Sequence, residues 1–532
     1  MSPFTSAVPA ASASTVVLDL TVPDLLRLRA REAPNRLALS AHSAGGHRDR
    51  LTYAQLAERM EAMARGLARL GLGRGDRIAV LLGNEAGREC ILTALGALRL
   101  GAAVVPLNTR YADEELAHAL ALVEPAAVVT TVAAAGRVAR LAPALRILAV
   151  DGLKIGAEAD AWPEPEREPP GPPPHDPADG SLLACLLFTS GTTARAKAVM
   201  HNHRSMIGAG LSCSAALGLT EADLYQGGWP FFTSSGLNLG CMSSWVAGGG
   251  FVFEEPLDNG GRLRLVARER TTFLHGVPSV IHFMIEEYAK GGYDVSSLRR
   301  VGYGGSAMPA EVIRKINAAW PGVEQVQIYG MTESGPAGAR LEPADMWRKH
   351  GSIGVAMPHC EIAIVDEDAA PLDAGATGEI LIRGPGVGRG YFRNAEATQA
   401  AFRAGGILTG DVGHLDPEGY LYFTDRKKDV INRGGLKIAS VAVEQVLYRF
   451  PGVLEAAVVA IAHPHLGEDV AACIVPQSGV HLDLDEIARF CADKLADYER
   501  PRRWLVLDAL PKNPMGKVLK TELRQRFEPT PV

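Results

Sequence analysis

LLACLLFTSGTTARAKAVMHNHRS, residues Leu182–Ser205, opens with an apolar run that has the length and composition of a buried strand and ends at Phe188. The run empties into five small hydroxyl or glycine residues: Thr189, Ser190, Gly191, Thr192 and Thr193. That pattern is a phosphate cradle. Glycine lets backbone N–H groups close on an anion, the hydroxyls add donors at little steric cost, and Lys197 brings a point charge to the far phosphates. A triphosphate nucleotide is the expected guest. The loop lacks the GK[ST] ending of a Walker A sequence, so the P-loop NTPase reading fails on spacing. Standing alone, the stretch would be read first as a Ser/Thr-rich surface turn before a helix.

Outward from this loop, strands and helices alternate. Thr52 and Gln55 form a capping box ahead of a helix whose apolar residues recur at Leu56, Met60, Met63, Leu67 and Leu70, and Gly71 stops it. Strands at Arg77–Leu82 and 103–105, and again near 126–131 and 145–150, follow at βαβ spacing, so a mostly parallel sheet covered by helices is expected. Residues 162–180, WPEPEREPPGPPPHDPADG, read as a proline-stiffened connector. Past the loop, 272–275 leads into a helix over Val277–Tyr288, and 299–303 leads through GGSAMP into a helix over 310–320. The strand 325–328 runs into Tyr329, Gly330, Met331, Thr332 and Glu333. Small residues directly after a strand are where α/β sheets place ligands.

From about Gly351 short alternating segments predict a β-rich subdomain, followed by Gly410 and Asp411. A charged turn at Asp425–Asp429, read as exposed, divides the chain into residues 1–424 and a smaller α+β unit, 425–532. The chain of 532 residues is too long for one ordinary core. Its 47% hydrophobic and 21% charged residues describe a globular protein. The net charge of -6 gives no footprint for nucleic acid or an anionic membrane. Seven scattered cysteines with no C-x-x-C pair, and an N-terminus without a basic leader, point to a reducing, cytoplasmic setting.

Five landmarks stand in one order: TSGTT with Lys197, YGMTE, Gly410–Asp411, DRKKD with Gly434–Gly435, and Gly516–Lys517. This arrangement resembles the adenylate-forming superfamily, whose members include acyl-CoA synthetases, and it covers nearly the whole chain. The resemblance implies a carboxylate attacking the α-phosphate of ATP to give an acyl-adenylate, then a thiol, usually that of coenzyme A, displacing AMP after the small domain swings. It implies that Glu333, after Thr332, helps hold Mg2+ between phosphate oxygens. Asp411 would accept from the ribose hydroxyls, Arg426 would lie near the ribose and α-phosphate, and Lys428 would mark the hinge. Lys517 would serve adenylation. Gly434 and Gly435 would pass the pantetheine arm, and Tyr329–Thr332 with Gly304, Gly305 and Ser306 would border adenine and the acyl pocket.

The chain departs from the family pattern at several positions. Two glycines and a proline of the loop are Ala194, Ala198 and Ala196; the histidine of the PxxH segment is Thr233; and a proline and a glutamate further on are Ser440 and Ala442. An alanine held in a left-handed backbone at 194 would cost roughly 1 to 2 kcal/mol. Three readings follow. One is a complete ATP-dependent acid:CoA ligase. Another makes thioesters from an acyl-adenylate supplied by a separate adenylating enzyme. The third is a nucleotide or acyl-adenylate binding protein without turnover. Candidate acyl-pocket walls at Trp229, Phe231, Phe232, Ser235, Gly236, His275, Val277 and Gly304 are largely apolar, which points to a hydrophobic acyl or aryl acid.

Overall fold

The computed structural model describes residues 20–151, 160–171, 179–189, 196–305, 308–349, 351–512 and 518–527. The chain forms two compact units. One runs up to Thr189 and takes in Ala196–Ile362 and Ile382–Ile407; the other takes in Ala363–Leu381 and the chain from Leu408 onward.

The first unit is α/β and holds two large sheets. A seven-stranded sheet runs Asp160–Ala161, Arg146–Ala149, Ala127–Thr130, Arg77–Leu81, Ala103–Pro106, Leu183–Phe188, Ala198–Asn202. All its pairings are parallel except the last, where Phe188 faces Ala198 and Leu187 faces Val199 in an antiparallel hairpin. The nine-stranded sheet runs Val355–Ala356, Ala339–Leu341, Glu324–Tyr329, Arg300–Gly304, Phe273–Gly276, Leu224–Gly227, Gly250–Phe253, Leu37–His42, Arg48–Thr52. Its central strands are parallel, and three of them, ending at Gly276, Gly304 and Tyr329, lead into the helices and turns that carry the motif residues.

The expected capping box is present. Gln55 N–H donates to Thr52 Oγ1 (3.3 Å), Thr52 N–H donates to Gln55 Oε1 (2.9 Å), and the helix spans Tyr53–Arg69. Leu56, Met60, Met63 and Leu67 are fully buried. Gly96 lets the buried helix Gly87–Arg99 approach this one: a Cβ at 96 would fall 2.3 Å from Met63 Cγ. Each buried aliphatic side chain of this kind contributes about 1.5–3 kcal/mol over exposure.

Two sequence expectations change. The proline-rich segment is not a bare connector at its start, because Trp162 is buried and its indole N–H donates to Thr93 Oγ1 (2.9 Å). Glu166 pairs with Arg59 (2.9 Å) and Arg88 (2.5 Å). One large apolar ring among prolines is enough to dock the chain. The 425–429 turn is not uniformly exposed either: Asp425 and Asp429 are buried, and Lys427 and Lys428 face solvent.

The second unit carries most of a four-stranded sheet, Glu361–Val365, Gly378–Arg383, Ile407–Leu415, Leu421–Arg426. It also holds a five-stranded sheet, Leu436–Ile438, Ile431–Arg433, Gly467–Pro476, Val453–His463, with Arg503–Val506 parallel to Gly467–Pro476. Helices Ser440–Leu447 and Leu484–Ala492 bury Val443, Leu447 and Ile487 against one face. No helix among the described residues is long and apolar enough to cross a membrane. The cysteines are free thiols, six of them buried.

Candidate active site

The phosphate loop is strung between two antiparallel strands. Thr189 N–H donates to the Lys197 carbonyl (2.9 Å), closing the hairpin at its base. Ser190, Gly191, Thr192, Thr193 and Ala194 lie outside the described residues, as do Ser306 and Lys517. Lys197 itself is placed. Its ammonium sits 4.7 Å from the centre of the Tyr391 ring, a cation–π contact. The Tyr391 hydroxyl in turn donates to Glu333 Oε1 (2.8 Å), and Glu333 is 6% exposed. Burial, with Glu333 beside it, pushes the Tyr391 phenol well above its ordinary range, so it remains a donor at any working pH.

Backbone geometry explains why Thr332 and Glu333 sit where they do. Thr332–Ser334 is a single 3-10 turn, and Ser334 Oγ accepts from Met331 N–H (3.2 Å). His201 Nε2–H donates to the Thr332 carbonyl (2.9 Å) from the strand after the loop. Gly388 N–H donates to the Glu333 carbonyl (2.8 Å). Gly330 is demanded by packing, since a Cβ there would lie 1.9 Å from the Pro336 carbonyl oxygen. Gly304, at the end of its strand, has no room for a Cβ beside Ile328 O (2.7 Å). Gly305 is exposed with φ +82° and only Val277 within reach of a Cβ, at 3.8 Å. Tyr329 closes its strand half-buried.

Tyr391 and His201 escaped the sequence reading. The signal for Tyr391 was the glycine cluster at 384, 386, 388 and 390 just before it. For His201 there was none, because its partner is 131 residues away.

The acyl-pocket candidates form an aromatic group in the same unit. Trp229, Phe231 and His275 are buried, and Phe232 and Ser235 are half-buried. Asn84 pins the segment, donating to the Trp229 carbonyl (3.0 Å) and accepting from Phe231 N–H (3.1 Å). Thr233, where the family has histidine, caps the turn: its Oγ1 donates to the Pro230 carbonyl (2.8 Å) and accepts from Gly236 N–H (3.2 Å).

In the second unit Asp411 and Arg426 are cross-strand neighbours, with Arg426 Nε 3.3 Å from Asp411 Oδ1. Gly410 takes φ +71°, its N–H donates to Glu379 Oε1 (3.0 Å), and Lys427 pairs with the other oxygen of Glu379 (2.9 Å). A cleft of about 350 Å³ is lined by Thr409, Gly410, Arg426, Lys427 and Lys428. Although its side chain is exposed, partial desolvation lowers the Lys428 ammonium from its usual value; Asp429 and Asp411 oppose the shift, and Arg426 and Arg524 add to it. Gly434 (φ +58°) and Gly435 (φ +92°) make a two-residue turn between Arg433 and Leu436, and both are exposed. Those angles fit a type I′ hairpin, which favours glycine for its own sake.

The other departures are also accommodated. Ser440 Oγ accepts from Lys520 (2.6 Å), which also pairs with Glu444 (2.7 Å), and Ala442 is exposed. Ala198 lies in the strand Ala198–Asn202 with ordinary negative φ and is fully buried among apolar residues.

The AMP-binding enzyme family model matches residues 26–392, and the model of that family's C-terminal domain matches residues 442–517. The chain belongs to the AMP-binding enzyme family. Within this family it is 34% identical over 504 residues to a feruloyl-CoA synthase from Amycolatopsis sp, covering 94% of this chain and 97% of that protein. Its fold is similar to ATP-bound MatB from Rhodopseudomonas palustris, with TM-score 0.85, 28% identity, and 96% and 99% of the two chains covered. It is also similar to o-succinylbenzoate CoA synthetase (MenE) from Bacillus subtilis in complex with its acyl-adenylate intermediate, with TM-score 0.82, 28% identity, and 95% and 98% covered. These likenesses put the AMP-binding enzyme described here in the acid:CoA ligase branch of the adenylate-forming superfamily.

Among the described residues no three His, Cys, Asp or Glu side chains gather as a metal cage. One buried carboxylate, Glu333, held by a phenol that stays protonated, instead fits Mg2+ that takes most of its oxygens from phosphates and water.

Proposed function

We propose that this chain is an AMP-forming ligase that joins a hydrophobic acyl or aryl carboxylic acid to coenzyme A, carrying out both half-reactions. In the first, a carboxylate oxygen of the acid bonds to the α-phosphorus of ATP, and the bond from that phosphorus to the pyrophosphate oxygen breaks. In the second, the coenzyme A thiolate bonds to the acyl carbon, and the bond from that carbon to the AMP oxygen breaks. Lys197 and the loop hydroxyls from Thr189 to Thr193 bind the phosphates. Glu333, oriented by Tyr391, with Thr332 beside it, holds Mg2+, which neutralises phosphate charge when bound.

Asp411 binds the ribose, with Arg426 next to it, and Lys517 stabilises the charge that develops during adenylation. Residues 425–532 act as the mobile part, with Lys428 at the hinge and Gly434–Gly435 along the thiol's path. Tyr329–Met331 and Gly304–Ser306 border adenine and the acyl group. The feruloyl-CoA synthase relative and the apolar rings around Trp229 support a hydrophobic acyl or aryl substrate.

One observation carries the choice of a complete ligase over an enzyme restricted to preformed acyl-adenylate. Ala198, one of the altered loop positions, sits in ordinary strand backbone and is buried among apolar residues, so the hairpin accommodates its alanine. The retained Lys517 and Glu333 weigh against a protein without turnover.

The test is a paired assay with Mg2+ and coenzyme A: hydrophobic acids plus ATP in one arm, the matching synthetic acyl-adenylates in the other. Thioester and AMP in both arms are expected. Thioester from the adenylates alone, for an acid accepted in that form, would overturn the complete-ligase reading and send the search to an adenylating partner.

A further inference from the structure

Inside the nine-stranded sheet a chain of hydrogen bonds runs one way and stops. Trp229 Nε1–H lies 3.3 Å from the Tyr225 hydroxyl, and that hydroxyl lies 2.6 Å from His275 Nδ1. An indole N–H can only donate, so the Tyr225 oxygen accepts from Trp229 and spends its own hydrogen on Nδ1. Burial pushes the His275 pKa down to about 3, so the ring is neutral near pH 7 and carries one hydrogen. With Nδ1 accepting, that hydrogen is on Nε2.

Nε2 is buried and has no hydrogen-bond partner among the described residues. A buried donor left without an acceptor costs about 1–3 kcal/mol, and a native fold that keeps one calls for a reason. The surroundings supply one. His275 is the penultimate residue of its strand, at the carboxyl edge of a parallel sheet, where α/β folds bind ligands. Its neighbours in register on both sides are glycines, Gly227 and Gly302. A Cβ at Gly302 would lie 3.3 Å from His275 Cδ2, the ring carbon bonded to Nε2. Two residues along the same strand, and so on the same face, is Gly304, a proposed wall of the acyl pocket.

We propose that His275 Nε2–H is a specificity-determining donor of the acyl pocket, selecting hydrophobic acids that carry an oxygen acceptor on the acyl or aryl group, away from the reacting carboxylate. This rests on the ligase reading above. A site built to hydrogen-bond a substrate oxygen rejects the analogue lacking it far more strongly than an apolar pocket rejects a changed methylene. Trp229 and Tyr225 act as positioning residues, fixing the tautomer.

The test uses non-hydrolysable acyl-sulfamoyl adenosines in matched pairs. Each pair carries a ketone C=O, or a C=CH2 in its place, at successive positions of phenylpropanoyl and straight-chain acyl groups. Binding to the full chain is measured by calorimetry. For at least one pair the ketone should bind ten-fold or more tighter. His275→Phe should abolish that preference, and His275→Gln, which keeps a donor, should retain part of it. Nitrogen NMR of the His275 ring, independent of any variant's folding, should show Nε2 protonated and Nδ1 bare. No discrimination in any pair, a preference that survives His275→Phe, or a protonated Nδ1 would overturn the proposal and leave the ligase reading standing. Failure of every acyl-sulfamate to bind would bring down both.

Discussion

Tyr391 couples Lys197, proposed to bind phosphate, to Glu333, proposed to hold Mg2+, through one ring: Lys197 rests on its face and Glu333 accepts from its edge. Tyr391→Phe keeps the face and removes the donor. A hydrogen bond to a charged group is worth about 1.5–3 kcal/mol, so adenylate formation should slow roughly ten- to a hundredfold, with the Mg2+ dependence shifted to higher concentration. Thioester formation from preformed adenylate should hold. Pyrophosphate release across a Mg2+ series reads the first effect, and equal loss of both half-reactions would remove Tyr391 from this role. If Lys517 has the proposed role, Lys517→Ala should share the selectivity with a deeper loss, because it would delete a charge that acts only as adenylation proceeds. At this scale the sequence singled out Glu333 from its immediate neighbours in YGMTE. It was silent where chemistry depends on a distant partner: Tyr391 lies 58 residues from Glu333.

At the level of elements, the loop and the double-glycine hairpin separate backbone requirements from ligand requirements. Ala198 is buried in a strand among apolar residues, so Ala198→Gly should lower stability by about 0.5–1 kcal/mol without raising ATP-dependent activity. If the loop limits adenylation, the gain on restoring family residues should come from Ala194→Gly. Initial rates and melting curves on the two single variants distinguish these cases, and a rate gain from Ala198→Gly would refute the assignment. At Gly435, Asn tolerates positive φ and Val does not. Gly435→Asn should leave the hairpin folded yet slow the coenzyme A step if thiol passage is the requirement, while Gly435→Val should add a loss of stability. An Asn variant with unchanged thioester rates would leave the turn geometry as the whole reason for the glycine.

The helices and parallel strands around these elements were legible because caps and periodicity are local. The strand Ala198–Asn202 was not, since five mixed residues carry no period, and neither was the docked Trp162, whose burial comes entirely from tertiary contact.

For the molecule as a whole, the first unit encloses neutral histidines, and this sets the sign of its acid response. Burial lowers His201 and His203 to about 4 and His275 to about 3, against about 6.5 when unfolded. The folded form therefore binds fewer protons than the unfolded chain between pH 6.5 and 4. Stability is complete above 6.5 and is lost as pH falls through that window, by up to about 1.4 kcal/mol per pH unit for each histidine.

Asp223 extends the loss further down. Burial alone would raise its carboxyl, but bonds from Arg299, Thr272 and Thr220 outweigh that and hold it at about 2, so its contribution is present above about 4 and fades toward 2. Urea unfolding followed by tryptophan fluorescence at pH 7, 6, 5 and 4 should show the midpoint falling steeply below 6.5. His203→Gln should reduce the slope by about a third, because one of three protons no longer distinguishes the two states. A midpoint flat from pH 7 to 5, or a slope indifferent to His203, would mean that these rings take up protons within the fold and that their burial is looser than described.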